Sequence, residues 1–193
     1  MTILVRTTAA LDVSSDGRNL EGLALTWEDA ELVTDDHGAS YYAEAFAARS
    51  VTRTLRARSE WPVFVVHNHL AGSVGEVTFA ATIEGLAWRA RMADTRYAGA
   101  TLERVTDPDH PDGHLGAVSV GFKPKAQQSR TFPGVGAGVY RTEIALAELS
   151  LAPAHAAQRS AGKVLAVRSS TTADAGTPRL DALRRRRSLL VTP

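Results

Sequence analysis

The stretch "GHLGAVSVGFKP", residues 113–124, holds a serine, Ser119, in a run of small residues and valines, with glycines at Gly116 and Gly121. Serine becomes a nucleophile when a neighbouring base accepts its proton and a third group orients that base. Histidine is the usual base because it exchanges protons near neutral pH. The chain has six histidines, and "WPVFVVHNHLAGSVGEV" sets His67 and His69 at the end of an apolar strand, just before a loop. At a spacing of i, i+2 a regular strand turns both imidazoles to one side. A third group is available in "TEIALAELSLAPAHAAQ", where Glu148 interrupts an apolar run between Ala147 and Leu149. A carboxylate near a buried face needs a partner, and a histidine is one.

Each of these residues also has a plainer reading. A serine in a β-type run is commonly a strand residue with a hydrogen-bonded hydroxyl, and two strand-end histidines can bond backbone or water. Glu148 can lie on an exposed face or edge. A metal site built from His67, His69 and His114 is a further alternative, since His-x-His suits zinc and His110 and His114 are spaced i, i+4. That spacing falls in the turn-rich loop "TDPDHPDGH", however, so it does not define one helix face. The letters "HNH" do not by themselves supply a ββα nuclease site. The sequence has no cysteine, which excludes disulfides, thiolate nucleophiles and cysteine metal ligands.

Presenting these side chains requires strands. Alternating or β-rich runs occur at Ile3–Thr8, Arg18–Trp27, Pro62–Asn68, Gly75–Ala81, Leu86–Met92, Gly116–Phe122 and Val139–Leu151. Helices are predicted over Tyr42–Arg58, with Phe46, Val51 and Leu55 as its apolar positions, and over Thr95–Val105, with Tyr97, Ala98, Leu102 and Val105. The expectation is a β-rich α+β domain over residues 1–168, followed by a flexible Arg-rich tail over 169–193. Four arginines at 184–187 could touch nucleic acid or an acidic surface, but a solvated tail is the simpler reading.

The 193 residues are 44% hydrophobic and 22% charged, which is ordinary globular usage. A net charge of +1 gives no overall field for nucleic acid. No run approaches the roughly 18 apolar residues of a membrane span. The N-terminal "MTILVRTTAALDV" lacks the pattern of a signal peptide, so a cytoplasmic setting is expected.

Five segments in order resemble the HK97-type prohead maturation proteases of tailed phages and gene-transfer particles. They are "EGLALTWE", "YYAEAFAARSV" with Glu44, Ala45 and Phe46, "PVFVVHNHLAGSVGEV" with Gly75, "GHLGAVSVGFKP", and "AELSLAPAHAAQ". Together they span roughly residues 18–160. The resemblance implies a barrel-like sheet with flanking helices, as in herpesvirus assembly proteases. It also implies a serine endopeptidase without a cofactor, acting on scaffold and major capsid proteins inside the procapsid in the host cytoplasm. Cleavage of the chain's own tail and assembly into a homo-oligomer are compatible with it.

Carried across, Ser119 is the nucleophile, His69 the favoured base with His67 the alternative, and Glu148 the third member. His67 could itself be the third member, giving a Ser-His-His arrangement. Leu70 follows His69 where the family usually has Asp. The rival from another class is a non-catalytic capsid assembly or scaffold-binding protein of the same fold.

Overall fold

A computed structural model of the chain describes residues 17–34, 41–153 and 163–168. The chain is mixed α+β and strand-rich, with one curled half-barrel sheet. Its strands are β1 (Asn19–Thr26), β2 (Glu31–Thr34), β3 (Tyr41–Phe46), β4 (Trp61–Val65), β5 (Gly75–Ala81), β6 (Gly85–Met92), β7 (Ala117–Phe132), β8 (Gly136–Ala152) and β9 (Lys163–Arg168). Helix α1 (Thr52–Ala57) follows β3, and α2 (Arg96–Thr106) lies between β6 and β7. Thr95 caps α2, its side chain accepting from the Ala98 N–H, and α2 buries Ala98, Thr101 and Val105.

The sheet order is β2-β3-β8-β4-β5-β6-β1-β9-β7, and a further pairing of β7 with β8 curls it. Strand β8 organises the fold. Its first half runs parallel to β3, its second half runs parallel to β4, and β7 lies antiparallel along nearly its whole length. The core fills the inside of the curl with Trp61, Trp88, Phe46, Leu20, Leu25, Leu86, Leu115, Ile144, Leu149 and Leu151, all fully buried. Close-packed aromatic and branched side chains of this kind supply most of the driving force for folding.

The prediction of a helix over Tyr42–Arg58 is corrected: residues 41–46 form β3, and only Thr52–Ala57 is helical. Alanine and glutamate in "YYAEAF" favour helix intrinsically. Pairing decides otherwise, since β3 is hydrogen-bonded to β2 on one side and β8 on the other. Ala43, Glu44, Ala45 and Phe46 are all buried, so no alternation betrays the strand in the sequence. The predicted run Pro62–Asn68 ends early, at Val65. Strands β2 and β9 were not expected, and β7 and β8 extend into a hairpin longer than the predicted runs. The run Ile3–Thr8 and the tail 169–193 lie outside the described residues.

Candidate functional site

Register places the site. Ser119 on β7 lies directly opposite Ser150 on β8, Gly121 lies opposite Glu148, and Phe64 on β4 is level with Ser150. Residues paired across a ladder share a face, so Ser119, Gly121, Ser150, Glu148 and Phe64 stand together on one side of the sheet. Their sequence neighbours Val118, Leu149, Leu151 and Val63 point into the core on the other side. The apolar residues thereby anchor the three strands, and the polar face is held rigid above them.

Over this face folds the turn after β4. Val66 and His67 have φ of 48° and 55°, in the left-handed region. A β-branched residue there is a genuine outlier, and such conformations persist only where the surroundings fix them. The fixing bonds are present. Val66 N–H donates to the Leu151 carbonyl at 2.9 Å, Asn68 N–H to the Val65 carbonyl at 2.9 Å, and His67 N–H to Ser150 Oγ at 3.1 Å. A 3-10 turn at His69–Ala71 follows, with Asn68 Oδ1 accepting from Ala71 N–H. The histidines therefore do not alternate along a regular strand, yet both arrive at one carboxylate.

Glu148, its side chain only 6% exposed, accepts from His67 Nδ1 at 2.5 Å through Oε1 and from His69 Nε2 through Oε2. Ser150 Oγ lies 3.4 Å from Oε1. An ionised carboxylate only accepts, so each imidazole turns an N–H toward it. In the neutral imidazoles this leaves Nε2 of His67 and Nδ1 of His69 as the nitrogens not engaged by the carboxylate. The His69 ring also packs on Phe64, centroids 4.6 Å apart. The partner expected for Glu148 is thus present twice.

Gly121 is required by this geometry. A Cβ at that position would lie 2.9 Å from Glu148 Cδ, 3.0 Å from Oε1, and closer still to Cγ. The carboxylate therefore lies across β7, next to Ser119 along the strand. Beyond Ala117, which pairs with Lys163 of β9, the outer edge of β7 has no ladder partner among the described residues.

No protein-family model matches the chain, and no curated protein matches it.

The other histidines lie apart in role. His114 Nδ1 bonds the Arg104 carbonyl at 3.0 Å, and its ring fills the space where a Gly116 side chain would stand. His110 Nδ1 accepts from Asp112 N–H at 3.1 Å. Among the described residues no group of three or more is disposed to hold a metal ion. His67 and His69 turn nitrogens to the carboxylate, whereas His114 turns one to a backbone carbonyl. Sequence reasoning missed Ser150, which ties the His67 backbone to the carboxylate. Its signal was the i, i+2 spacing from Glu148, which puts both on one strand face.

Proposed function

We propose that the chain is a serine endopeptidase in which Ser119 is the nucleophile, His67 the general base and Glu148 the group that orients it. The carrying observation is that the buried Glu148 carboxylate bonds His67 Nδ1 and stands opposite Gly121, two residues from Ser119 on the same strand face. That is the bonding a hydrolase base needs: one nitrogen fixed by an acid, the other available to a hydroxyl. The choice between the two histidines rests on tautomer and placement. His67 is bonded through its backbone to Ser150, the cross-strand partner of Ser119, and opposed residues have Cβ atoms about 4.5–5.5 Å apart. His69, favoured from the sequence, is held through Nε2 and becomes the second imidazole on the carboxylate.

In the reaction, His67 Nε2 takes the Ser119 proton as Oγ attacks a peptide carbonyl. The imidazolium, stabilised by Glu148, then protonates the leaving amine. Water deacylates the ester by the same route, restoring serine and releasing the new carboxyl terminus. The edge of β7 beside Ser119, which has no ladder partner among the described residues, suits an extended peptide, which can add to it as a strand.

The resemblance to prohead proteases makes scaffold and major capsid proteins, and the chain's own tail, the proposed substrates. Packing enzyme and substrate in one procapsid raises effective concentration, so weak intrinsic affinity suffices. The test is co-expression with the neighbouring major capsid protein, using wild type, Ser119→Ala, His67→Ala and His69→Ala. Capsid shortening abolished by Ser119→Ala and His67→Ala supports the proposal. Shortening lost with His69→Ala but kept with His67→Ala reverses the histidine roles. Identical results in all four chains leave the non-catalytic assembly protein as the reading.

A further inference from the structure

Strand β7 carries a run of chemistry beyond Ser119. The Leu146 carbonyl accepts the Trp61 indole N–H and the Leu151 carbonyl accepts the Val66 N–H, so both residues turn their backbone groups away from β7. Leu149, two residues before Leu151, turns the same way. Their ladder partners Val120 and Phe122 therefore turn N–H and C=O to the outer edge of β7. Pro124, level with Ile144, has no N–H and ends that series of donors. Ile144, Leu146 and Leu149 point into the core, so the opposite face carries Glu143, Ala145 and Glu148 on β8 beside Lys123, Gly121 and Ser119 on β7. Lys123 and its near neighbour Lys125 are exposed, with no ion-pair partner among the described residues. Helix α1 continues the charge across β8. Arg53 reaches Glu143 at 3.5 Å, and Arg56, exposed and three residues on, shares its helix face. Lys123, Lys125, Arg53 and Arg56 thus share with Glu143 a surface that runs on from the Glu148 carboxylate.

Resting on the protease reading above, we infer that this cationic surface docks the acidic part of a substrate peptide that adds to β7. The peptide residue level with Lys123 stands four residues from the one level with Ser119, about 13 Å along the strand. The substrate class is therefore an extended peptide with Asp or Glu about three to five residues to one side of the scissile bond. A peptide fits better than nucleic acid, because the same edge presents backbone donors and acceptors that match another strand. Exposed charge pairs of this kind each strengthen binding about 2- to 5-fold and are weakened by salt.

The test has a binding arm and a cleavage arm, both on the full chain. Binding uses the Ser119→Ala chain with labelled peptides of repeating Val-Asp or Val-Lys and a short single-stranded DNA, read by fluorescence anisotropy. Cleavage uses the Ser119 chain, with Ser119→Ala as blank, on a randomised peptide library, with sites read by mass spectrometry. Each arm compares its parent with Lys123→Glu, Lys125→Glu and Arg96→Glu, the last altering an exposed arginine at the start of α2. Val-Asp should bind about tenfold more tightly than Val-Lys, and Asp or Glu should be enriched on one side of the cleaved bond. Lys123→Glu should cut both preferences about fivefold and Arg96→Glu should leave them. All three side chains are exposed, so the variants keep their melting temperature. Equal binding of the two peptides, DNA bound more tightly than Val-Asp, or preferences unmoved in both lysine variants overturns the docking surface. Ser119-dependent cleavage without acidic enrichment overturns it and leaves the protease. Acidic-peptide binding lost in Lys123→Glu, with no Ser119-dependent cleavage, overturns the protease and leaves the docking surface.

Discussion

Gly121→Ala adds one methyl group at the point where the Glu148 side chain crosses β7. The new Cβ would lie 2.9 Å from Cδ and 3.0 Å from Oε1, against an ordinary contact of 3.4–4 Å, and Cγ is nearer still. Glu148 cannot yield freely, because both histidines hold its oxygens and Cγ lies close to the backbone. The carboxylate must retreat by on the order of 1 Å, and a misplacement of that size costs about a hundredfold in rate. The backbone of Gly121 is not left-handed, so alanine brings no strain of its own. Overpacking of about 1–3 kcal/mol is the expected stability change.

The assay is cleavage of the co-expressed capsid protein, followed over time, alongside thermal melting. Gly99→Ala is the control, since a Cβ there meets nothing within 4 Å and a helical alanine stabilises. A Gly121→Ala chain that cleaves at the wild-type rate would refute the claim that the carboxylate's position governs the site.

Glu148→Gln keeps the shape but loses the charge that stabilises the imidazolium, and activity should fall about 10³- to 10⁴-fold in single-turnover cleavage, with the fold retained. Arg141 bonds Glu44 Oε1 at 2.7 Å with both side chains buried, and it also reaches Gln127. Arg141→Ala should therefore lose about 3–5 kcal/mol in urea unfolding, because it removes one member of a buried ion pair. Trp61 donates its indole N–H to the Leu146 carbonyl at 3.0 Å, whereas the buried Trp88 indole N–H has no partner among the described residues. Trp61→Phe should destabilise by about 1 kcal/mol more than Trp88→Phe, measured by the same unfolding. The Tyr140 hydroxyl donates to Glu28, which raises its pKa above the ordinary phenol value. The raised value favours the protonated folded form, so this contribution is present below the unfolded phenol pKa and lost as pH rises through the folded one. Tyr140→Phe should flatten that alkaline loss of stability.

The strands with a polar face above an apolar one were legible because period-two alternation survives in the sequence. Leu149 and Leu151 against Glu148 and Ser150 is the clearest case. Strand β3 was not legible, since burial on both faces erased the alternation and left helix-favouring alanines to decide. The α2 helix was recovered almost to the residue because Thr95 caps it and the turn-rich loop after it stops it. At the site, residue chemistry singled out Ser119, both histidines and Glu148. The turn that carries the histidines was not legible, because Val66 and His67 leave the strand through left-handed backbone, which no local preference of valine announces. Ser150 escaped because its part is to bond the His67 backbone, a contact made only once β4 and β8 are paired.

The central claim is that Ser119 is an activated nucleophile, and a fluorophosphonate tests it without any knowledge of the substrate. The full chain is treated with the reagent, and intact mass with peptide mapping locates the adduct. The account predicts a single adduct on Ser119, formed at least a hundredfold more slowly in His67→Ala and Glu148→Gln. No adduct on Ser119, or one formed at the same rate in all three chains, would contradict it.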